Sequence, residues 1–420
     1  MSLNVLIVGA GVAGPAFAML LQSSNPNHKI TVVERSPSLR TAGQQIDVKN
    51  QGVEILKRMG LFETIKSHCV NETGVEVLDS NGKQVATFGI NPSGEKRITL
   101  TNEYEIMRGD TVKVLYEASL KQNAELKEQG KGGDLTYEFD KTITELTQSD
   151  NGVDVTFSDG QKKRYDLVVG ADGQGSRTRR LAFGASSDAA FRSLGVHAAY
   201  YSIPRSEDEG ELARAYSAPG RRLVMTRTSG RPVTQVLLFV MGNEKMRETY
   251  KEPIEKQKQV FEETFRDAGW QVDRLLNGLK TCSDFYAHEV GQIKMTEWSK
   301  GRVVLLGDAG YTPSPFTGMG TTGCLIGAYV LAGELARHGG DVNGALKSYE
   351  EVARPPIEKE CQKLAVESLD TFYPASRLGV WMLQKAAWVV SKIEPLTYRS
   401  RSKDGQWWKV PEYPELNLKS

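Results

Sequence analysis

The feature that most constrains the fold is a glycine-rich segment, GAGVAG, at residues 9–14. It follows an apolar run at residues 4–8, which is typical of a buried strand, and precedes a helical pattern at residues 15–22. A second apolar run at residues 30–34 predicts another strand and completes a β-α-β unit. The sequence therefore predicts an α/β protein with a Rossmann-type domain.

Within such a unit, each glycine has a physical role. Gly9 permits a tight turn, Gly11 lets backbone N–H groups approach a pyrophosphate, and Gly14 allows close contact between helix and strand. Glu34 ends the second predicted strand, where its carboxylate can accept hydrogen bonds from ribose hydroxyls. These residues predict a dinucleotide site, and alone they do not distinguish FAD from NAD. A glycine-rich turn without a ligand is the alternative.

Other segments extend this prediction along the chain. Apolar runs at residues 165–170 and 302–306 are typical of buried parallel strands. Residues 234–241 are rich in β-branched and aromatic side chains, which favours an antiparallel sheet. Helical patterns cover residues 324–337 and 343–354, and the second is expected to break at Pro355 and Pro356.

Charge and cysteine content exclude several classes of protein. The 53 Lys and Arg residues nearly balance the 52 Asp and Glu residues, so no global field favours nucleic acid. The four cysteines lack CxxC spacing, and the five histidines show no metal-ligand spacing, so we expect no metal site. The N-terminus lacks a signal-peptide pattern, and the cysteine usage suits a reducing interior, so a cytoplasmic protein is expected.

A second apolar stretch, at residues 378–390, is interrupted by Gln384 and Lys385. It is too short to span a bilayer, so we expect no stable membrane insertion. We interpret the stretch as an amphipathic helix that packs on the body of the protein. Binding to a membrane surface is the alternative interpretation.

Three segments in order carry a family resemblance: GAGVAG, then GADGQGSRTRR at residues 170–180, then GDAGYTPSPFTGMG at residues 307–320. The second resembles the DG motif, and the third resembles the GDA segment, of single-component (class A) FAD-dependent monooxygenases. The combination is similar to tetracycline-inactivating monooxygenases and to those of polyketide and alkaloid biosynthesis. One departure is Tyr311, where many members of the family have histidine.

The resemblance implies roles for particular residues. Asp308 would bind the ribityl hydroxyls of FAD, and a helix cap is the alternative role for this residue. Arg108 would lie near the flavin, where an arginine can stabilise negative charge. Arg40 could instead meet the nicotinamide nucleotide, and for both arginines a surface salt bridge is the alternative. The predicted cofactor-binding residues are Gly9, Gly11, Gly14, Glu34, Arg35, Arg40, Asp47, Arg108, Asp172, Asp308, Gly318, Gly320 and Thr321.

The resemblance also implies the reaction. NADPH or NADH would reduce FAD, and reduced flavin would react with O2 to give a C4a-hydroperoxide that oxygenates a polycyclic or aromatic small molecule. Hydroxylation, epoxidation and Baeyer-Villiger insertion all stay open, and no protein side chain is named as catalytic. The alternatives are a flavin reductase or halogenase on the same fold, a flavin-binding protein without turnover, and a nicotinamide dehydrogenase without flavin.

We therefore expect a discontinuous FAD-binding domain of residues 1–180 and 283–340, interleaved with an antiparallel substrate-binding sheet domain at residues 181–282. Residues 341–420 are predicted to form a helical C-terminal region, and the protein is expected to be a monomer or homodimer. Any one of the substrate candidates could instead be a core residue or, for the arginine, a surface charge. The substrate candidates are Tyr200, Arg222, Met225, Phe239, Met241 and Pro315.

Overall fold

The computed structural model describes residues 1–41, 43–90, 101–187, 189–364, 369–397 and 408–418. The strands in these residues are β1 (Asn4–Val8), β2 (Lys29–Val33), β3 (Gln45–Asp47), β4 (Gly74–Leu78), β5 (Gln84–Gly89), β6 (Glu105–Met107), β7 (Asp134–Glu138), β8 (Ile143–Ser149), β9 (Gly152–Phe157), β10 (Lys162–Tyr165), β11 (Leu167–Gly170), β12 (Phe191–Pro204), β13 (Leu212–Ala218), β14 (Arg222–Arg227), β15 (Val233–Met241), β16 (Tyr286–Ile293), β17 (Ser299–Lys300) and β18 (Val303–Leu305).

The α-helices are α1 (Ala13–Ser24), α2 (Gln51–Arg58), α3 (Phe62–Ser67), α4 (Arg108–Glu128), α5 (Arg177–Phe183), α6 (Lys245–Thr249), α7 (Ile254–Phe265), α8 (Val272–Thr281), α9 (Asp308–Tyr311), α10 (Gly320–Arg337), α11 (Val342–Pro356), α12 (Leu369–Phe372) and α13 (Arg377–Thr397). Short 3-10 turns lie at Gly184–Ser187, Pro315–Thr317 and Pro414–Leu416.

A six-stranded sheet, in the order β17-β18-β11-β1-β2-β7, forms the first half of the fold. Strand β1 pairs in parallel with both β2 and β11, and β11 pairs in parallel with β18. Alternate side chains of β1 point to opposite faces. Val5 and Ile7 share a core with α1 and α10, whereas Leu6 packs with Val155 of the three-stranded sheet β10-β9-β8. Both faces are thus covered, as the apolar runs of these strands require.

The predicted β-α-β unit is confirmed by β1, α1 and β2, and the predicted strand at residues 302–306 is confirmed by β18. The predicted strand at residues 165–170 is in fact two elements. Strand β10 ends at Tyr165 in an antiparallel pair with β9, and β11 begins at Leu167 in the parallel sheet. Between them, the Asp166 carboxylate accepts a hydrogen bond from the backbone N–H of Asn4 at 2.7 Å. This bond holds the chain at the point where it leaves the pair with β9 and enters the parallel sheet.

A seven-stranded sheet, in the order β16-β12-β15-β14-β13-β4-β5, forms the second half. Its pairs are antiparallel except for β13 with β4, and β15 confirms the strand predicted at residues 234–241. Strands β4, β5 and β16 join this sheet from outside residues 181–282, so the chain passes between the two sheets more often than predicted. One face of the sheet packs on α7 and α8, with Phe265 and Leu275 in the core between them.

The C-terminal region is helical, as predicted. Helix α11 includes Pro355 and Pro356 and then gives way to a π-helical turn at Ile357–Cys361, so the predicted break falls just after the prolines. Helix α13 confirms the helix predicted at residues 378–390 and packs against β5 and β13. In the described part of the chain, no helix combines the length and apolar character needed to cross a membrane.

Candidate active site

The ends of three parallel strands bring the sequence motifs to one edge of the six-stranded sheet. The glycine turn follows β1, Asp172 follows β11, and Asp308 follows β18. Carboxyl ends of parallel strands meet at the same edge, and ligands of open α/β sheets bind there. The turns touch, because a Cβ atom at Gly9 would lie 2.4 Å from the carbonyl oxygen of Ala171.

The glycine turn has the shape that the motif predicts. Gly9 has φ +113°, a conformation that other residues rarely adopt, and a Cβ atom at Gly14 would lie 2.0 Å from the Gly9 carbonyl oxygen. A Cβ atom at Gly11, by contrast, would meet only the Nη2 atom of Arg108, at 3.4 Å. The first N–H groups of α1 have no acceptor within the helix, so this surface can receive a phosphate.

Glu34 joins the glycine turn to the loop after β2. One carboxylate oxygen accepts a hydrogen bond from the Ala10 N–H at 3.0 Å, and the other accepts one from the Ser36 N–H at 3.0 Å. An ionised carboxylate has about four acceptor sites. Two therefore remain for other hydrogen-bond donors, and the contact of Glu34 with a ribose stays a prediction.

Asp172 has a different environment. Its carboxylate accepts hydrogen bonds from the Ser176 hydroxyl at 2.5 Å, the Arg177 N–H at 2.8 Å, and both the N–H and the hydroxyl of Thr178 at 3.0 and 3.1 Å. Three of these donors meet Oδ2 and one meets Oδ1, so the carboxylate holds the turn and the start of α5. The predicted contact of Asp172 with the cofactor stays a prediction.

Asp308 is the first residue of α9 and is half-buried. Its carboxylate makes no hydrogen bond within the described part of the chain, so it does not cap a helix. Burial raises its pKa to about 6, and the positive charge of Arg108 acts in the opposite direction. A carboxylate kept without a hydrogen-bond donor at a strand end is suited to bind hydroxyl groups of a ligand.

Arg108 lies at the start of α4, and its backbone N–H donates to the Gln44 carbonyl oxygen at 3.0 Å. Burial, followed by the charge of Arg40, lowers the pKa of its guanidinium, and Asp308 opposes that change. Among the described residues the guanidinium has no hydrogen-bond partner. It is therefore a half-buried positive charge available to an anionic or electron-rich ligand.

Tyr286, at the start of β16, is a site residue that sequence reasoning missed. The Arg40 guanidinium lies 5.9 Å from the centre of its ring, and the charges of Arg40, Arg108 and Arg35 each oppose the burial that raises the pKa of the Tyr286 hydroxyl. Arg35 and Arg40 are both exposed. Tyr286 thus connects the edge of the first sheet to the second sheet, although no local motif marks it.

The loop after β3 contacts the start of α10. Asp47 pairs with Lys49 at 2.9 Å, and a Cβ atom at Gly318 would lie 2.1 Å from the Asp47 carboxylate. The Thr322 hydroxyl donates to the Lys49 carbonyl oxygen at 3.0 Å. A Cβ atom at Gly320 would meet nothing within 4 Å, so the N-terminus of α10 borders open space. Thr321 follows it in the first turn and is buried.

Beneath Asp47 lies a buried charge cluster, Glu72, Glu105 and Arg227. The Arg227 guanidinium contacts Glu72 at 2.5 Å and Glu105 at 3.0 Å, and Glu105 also accepts from the Gln45 side-chain amide at 2.7 Å. Burial, and then the negative charge of Glu105, raise the pKa of Asp47 to about 6. The cluster therefore joins the small two-stranded sheet of β3 and β6 to β14 of the seven-stranded sheet.

An aromatic wall lies on the face of the seven-stranded sheet opposite α7 and α8. Its members, Tyr200, Phe239, Phe316 and Tyr373, are linked by ring-centroid distances of 6.0 to 6.5 Å. Tyr200 also stacks on Tyr286 at 6.4 Å, which extends the wall to the edge where Asp308 and Arg108 lie. The wall belongs to a separate apolar cluster on this face.

Helix α12 and the residues that follow it pack over this wall. The Gly220 N–H donates to the Ala375 carbonyl oxygen at 2.9 Å, and Arg221 pairs with Asp370 at 2.6 Å. Tyr373 is buried between these two contacts. Residues 369–376 are therefore held against the β13–β14 turn and limit the access of water to the wall.

The structure separates the predicted substrate residues into two groups. Tyr200 and Phe239 form part of the aromatic wall, and Met225 and Met241 pack beside it, half-buried. Pro315 is exposed, next to Phe316 of the wall.

Arg222 is different, and the prediction that it contacts substrate is corrected. It lies on the opposite face of β14, because alternate residues of a strand point to opposite sides and Val224 packs on α7 and α8. Its guanidinium donates to the carbonyl oxygens of Pro219 and Thr264 and pairs with Asp267 at 2.5 Å. It therefore stabilises the packing of α7.

Tyr311, the departure from the family pattern, is a core residue. Its hydroxyl lies 2.9 Å from that of Tyr349, and its ring lies 4.3 Å from Trp298. A Cβ atom at Gly327 would lie 1.9 Å from the Tyr311 hydroxyl, so α10 is shaped around this side chain. The tyrosine at this position is therefore a packed core side chain.

The residues at this edge of the six-stranded sheet fit FAD. The glycine turn leaves room for a pyrophosphate, Glu34 has free acceptor sites, Asp308 lacks a donor within the described chain, and the start of α10 borders open space. Arg108 provides positive charge beside them. In the described residues, no group of three His, Cys, Asp or Glu side chains is placed to hold a metal ion.

Comparisons with known proteins agree with this geometry. The FAD binding domain family matches residues 2–363. The FAD-dependent monooxygenase asL6 of Sarocladium schorii is 41% identical over 425 residues, with 100% of both chains covered. The flavin-dependent monooxygenase eupH of a Phoma species is 34% identical, with 99% of this chain and 98% of that protein covered.

Among solved structures, tetracycline destructase Tet(51) superimposes with a TM-score of 0.77 at 28% identity. The match covers 96% of this chain and 100% of that one. The structural similarity therefore extends over nearly the whole of both chains.

Proposed function

The chain belongs to the FAD-binding-domain family of flavin-dependent monooxygenases, and on that premise we propose that it uses NADPH or NADH and O2 to insert one oxygen atom into a flat polycyclic or aromatic small molecule. The observation that carries the substrate proposal is the aromatic wall, which runs from Tyr373 to Tyr286 at the edge with Asp308 and Arg108. Stacked rings favour flat apolar molecules.

FAD, when bound, would supply the redox chemistry that links a reduced nicotinamide to O2. The chain supplies the binding site. The glycine turn and the start of α1 hold the pyrophosphate, Glu34 accepts from the ribose, and Asp308 accepts from the ribityl hydroxyls. Arg108 stabilises the negative charge that accumulates on the reduced cofactor, because its guanidinium is half-buried and has no hydrogen-bond partner within the described chain.

The aromatic wall orients the substrate and excludes water. Tyr200, Phe239 and Tyr373 are buried, and Phe316 is half-buried, so a ligand on this face meets few polar groups. The segment at residues 369–376 covers the far end of the wall. A dry site protects a reactive oxygen donor from reaction with water, which is the main task of the protein in such chemistry.

One solved structure supports this proposal for the substrate class. Tet(51), which is 28% identical to this chain, is described as a tetracycline destructase. The relatives asL6 and eupH are described as monooxygenases without a substrate in their names. We therefore propose a tetracycline-like, polyketide or alkaloid substrate with fused rings.

The experiment measures NADPH and NADH oxidation by the FAD-loaded protein, with and without tetracycline and a panel of fused-ring phenols. We expect at least one compound to stimulate oxidation and to yield a product heavier by one oxygen atom that derives from 18O2. Stimulated oxidation without an oxygenated product would indicate a flavin reductase. Absence of flavin reduction by either nucleotide would contradict the proposed electron donor.

Two matched variants test the role of the wall. Phe239→Leu removes a ring from the wall, and Phe265→Leu removes one from the core on the opposite face of the sheet. We expect only Phe239→Leu to raise KM for the stimulating compound, by roughly 3- to 10-fold. The dissociation constant of FAD is expected to stay unchanged in both. An equal rise of KM in the two variants would mean that the wall does not contact substrate.

A further inference from the structure

The outer surface of α13 exposes large apolar side chains. Among the described residues, 13 large hydrophobic side chains are exposed, and seven of them lie on this one helix. The seven are Leu378, Trp381, Met382, Trp388, Val389, Val390 and Ile393. Contiguous apolar surface of this kind marks an interaction site more often than single exposed residues do.

The inner surface of α13 accounts for its attachment to the protein. Val380 is buried, and the Gln384 side-chain amide donates to the Leu78 carbonyl oxygen at 3.3 Å. Helix α13 packs on β5 and β13, at one edge of the seven-stranded sheet. The outward side chains are therefore not needed to hold the helix in place.

Helical spacing sorts the outward side chains into two adjacent stripes. The first is apolar: Leu378, Met382, Val389 and Ile393 follow one another at intervals of four, seven and four residues. Residues at such intervals lie on one face of an α-helix. Leu378 and Met382 are 67% and 59% exposed, so the stripe is open to solvent.

The second stripe alternates tryptophan with lysine: Trp381, Lys385, Trp388 and Lys392 follow at intervals of four, three and four residues. The Lys385 ammonium lies 5.7 Å from the centre of the Trp381 ring. An apolar stripe bordered by tryptophan and lysine is the pattern of helices that lie in the boundary between lipid headgroups and acyl chains.

The charge of α13 indicates what kind of surface the helix can bind. By sequence, α13 carries three basic residues, Arg377, Lys385 and Lys392, and one acidic residue, Glu394, whereas the whole chain has a net charge of only +1. A surface of opposite charge complements this face. A second copy of the same face would bring like charges together around a two-fold axis, which disfavours a dimer.

We propose that α13 binds the surface of membranes rich in anionic phospholipids. The helix lies parallel to the bilayer, with Leu378, Met382, Val389 and Ile393 at the level of the upper acyl chains. Lys385 and Lys392 meet the phosphate and carboxylate groups above them. This binding is peripheral and independent of the oxygenation reaction.

The test is co-sedimentation of the FAD-loaded protein with vesicles of phosphatidylcholine, with or without phosphatidylserine. We expect binding to the phosphatidylserine vesicles that weakens as salt is raised, and little binding to phosphatidylcholine alone. The double variant Lys385→Gln/Lys392→Gln should bind roughly 10- to 30-fold more weakly. The variant Leu378→Ser/Met382→Ser should lose binding at all salt concentrations.

Matched controls lie elsewhere on the surface. Lys113→Gln/Lys347→Gln removes two exposed lysines outside α13, and Ile254→Ser removes an exposed apolar side chain. All variants are checked for bound FAD and for thermal unfolding, so that misfolding is separated from lost binding. We expect the controls to bind vesicles as the unchanged protein does.

Three results would overturn the proposal. The first is failure of the unchanged protein to bind either kind of vesicle. The second is equal loss of binding in the control variants and the α13 variants. The third is a dimer in sedimentation-velocity runs that Met382→Glu converts to a monomer, because this would assign the face to a second copy of the chain.

Discussion

Two carboxylates at the site lie in surroundings that disfavour their charged form. Burial raises the pKa of both Asp308 and Asp47 to about 6. Asp47 has Lys49 as a partner, whereas Asp308 has no hydrogen bond within the described chain. A group that the folded chain leaves unsatisfied in this way reduces stability and is kept for binding.

Replacement of Asp308 by Asn is therefore expected to stabilise the FAD-free protein at pH 7 and to weaken FAD binding. The folded-state pKa lies above the unfolded value, so the folded state binds more protons between about pH 4 and pH 6. The stability of the unchanged protein falls as the pH rises through this window. Above it, the variant should be more stable by on the order of 1 to 3 kcal/mol.

Thermal unfolding of the FAD-free proteins from pH 4 to pH 7.5 checks this prediction. The difference in Tm should appear as the pH rises through the window and vanish near pH 4. FAD binding is followed separately by flavin fluorescence. A variant less stable than the unchanged protein at every pH would show that the Asp308 carboxylate already has a favourable partner.

The buried charge cluster leads to a second residue-scale prediction. Arg227→Met leaves Glu72 and Glu105 buried without their cation, and we expect a loss of roughly 3 to 5 kcal/mol in the free energy of unfolding. The control is Arg247→Met, which breaks the pair with Glu289 on an arginine that is 60% exposed. That loss should stay below about 1 kcal/mol. Urea unfolding at pH 7 measures both, and similar losses would contradict the prediction.

At this scale, the sequence predicted residues that belong to ordered motifs, such as Glu34 and Asp308. It missed Tyr286, Glu105 and Arg227, because their partners are set by tertiary contacts. Arg227 pairs with Glu105 and Glu72, which lie 122 and 155 positions away in the sequence. No local spacing signals such a pairing.

At the scale of elements, two glycines of the turn are expected to have different roles, one in folding and one in binding. A Cβ atom at Gly14 would overlap the Gly9 carbonyl oxygen, whereas a Cβ atom at Gly11 would meet only the flexible end of Arg108. Gly14 is thus required by the contact between helix and strand. At Gly11 the fold leaves room for a side chain, so we expect its role to lie in binding the ligand.

We therefore expect Gly14→Ala to destabilise the protein by roughly 1 to 3 kcal/mol. Gly11→Ala should fold normally and lower FAD affinity about tenfold or more, a loss of about 1.4 kcal/mol in binding. Thermal unfolding of the FAD-free proteins and fluorescence titration with FAD measure the two effects. Normal FAD affinity in Gly11→Ala would mean that the phosphate does not approach this position.

The elements that the sequence predicted are those with long apolar runs, such as β1, β11 and β15. Strands β4 and β5 were not predicted, since their patterns are short and half-exposed. The face occupied by Arg222 also escaped prediction. Alternation along β14 places Arg222 and Val224 on the same face of the strand. Only the packing of α7 and α8 shows that the aromatic wall lies on the other face.

At the scale of the whole molecule, the two sheets share the chain so closely that neither is complete without distant segments. Strand β1 pairs with β11, and β11 with β18, while the second sheet takes β4 and β5 from one region and β16 from another. We expect a single cooperative unfolding transition for both sheets.

Truncation tests this expectation. A chain that ends at residue 282 keeps the whole predicted substrate segment but lacks β16, β18 and α10. It should show no cooperative thermal transition. A chain that ends at residue 364 keeps every strand described here and should unfold cooperatively at a lower Tm, because the packing of Tyr373 and Tyr413 is lost. Cooperative unfolding of the shorter chain would show that the sheets fold independently.

The parallel pairing of β1, β11 and β18 has a consequence for biosynthesis. About 300 residues separate β1 from β18. At a ribosomal rate of about 5 to 20 residues per second, roughly 15 to 60 seconds pass before the last of these strands emerges. During that time the apolar β1 and α1 have no complete sheet to join. The nascent chain is therefore expected to depend on chaperones throughout most of its own translation.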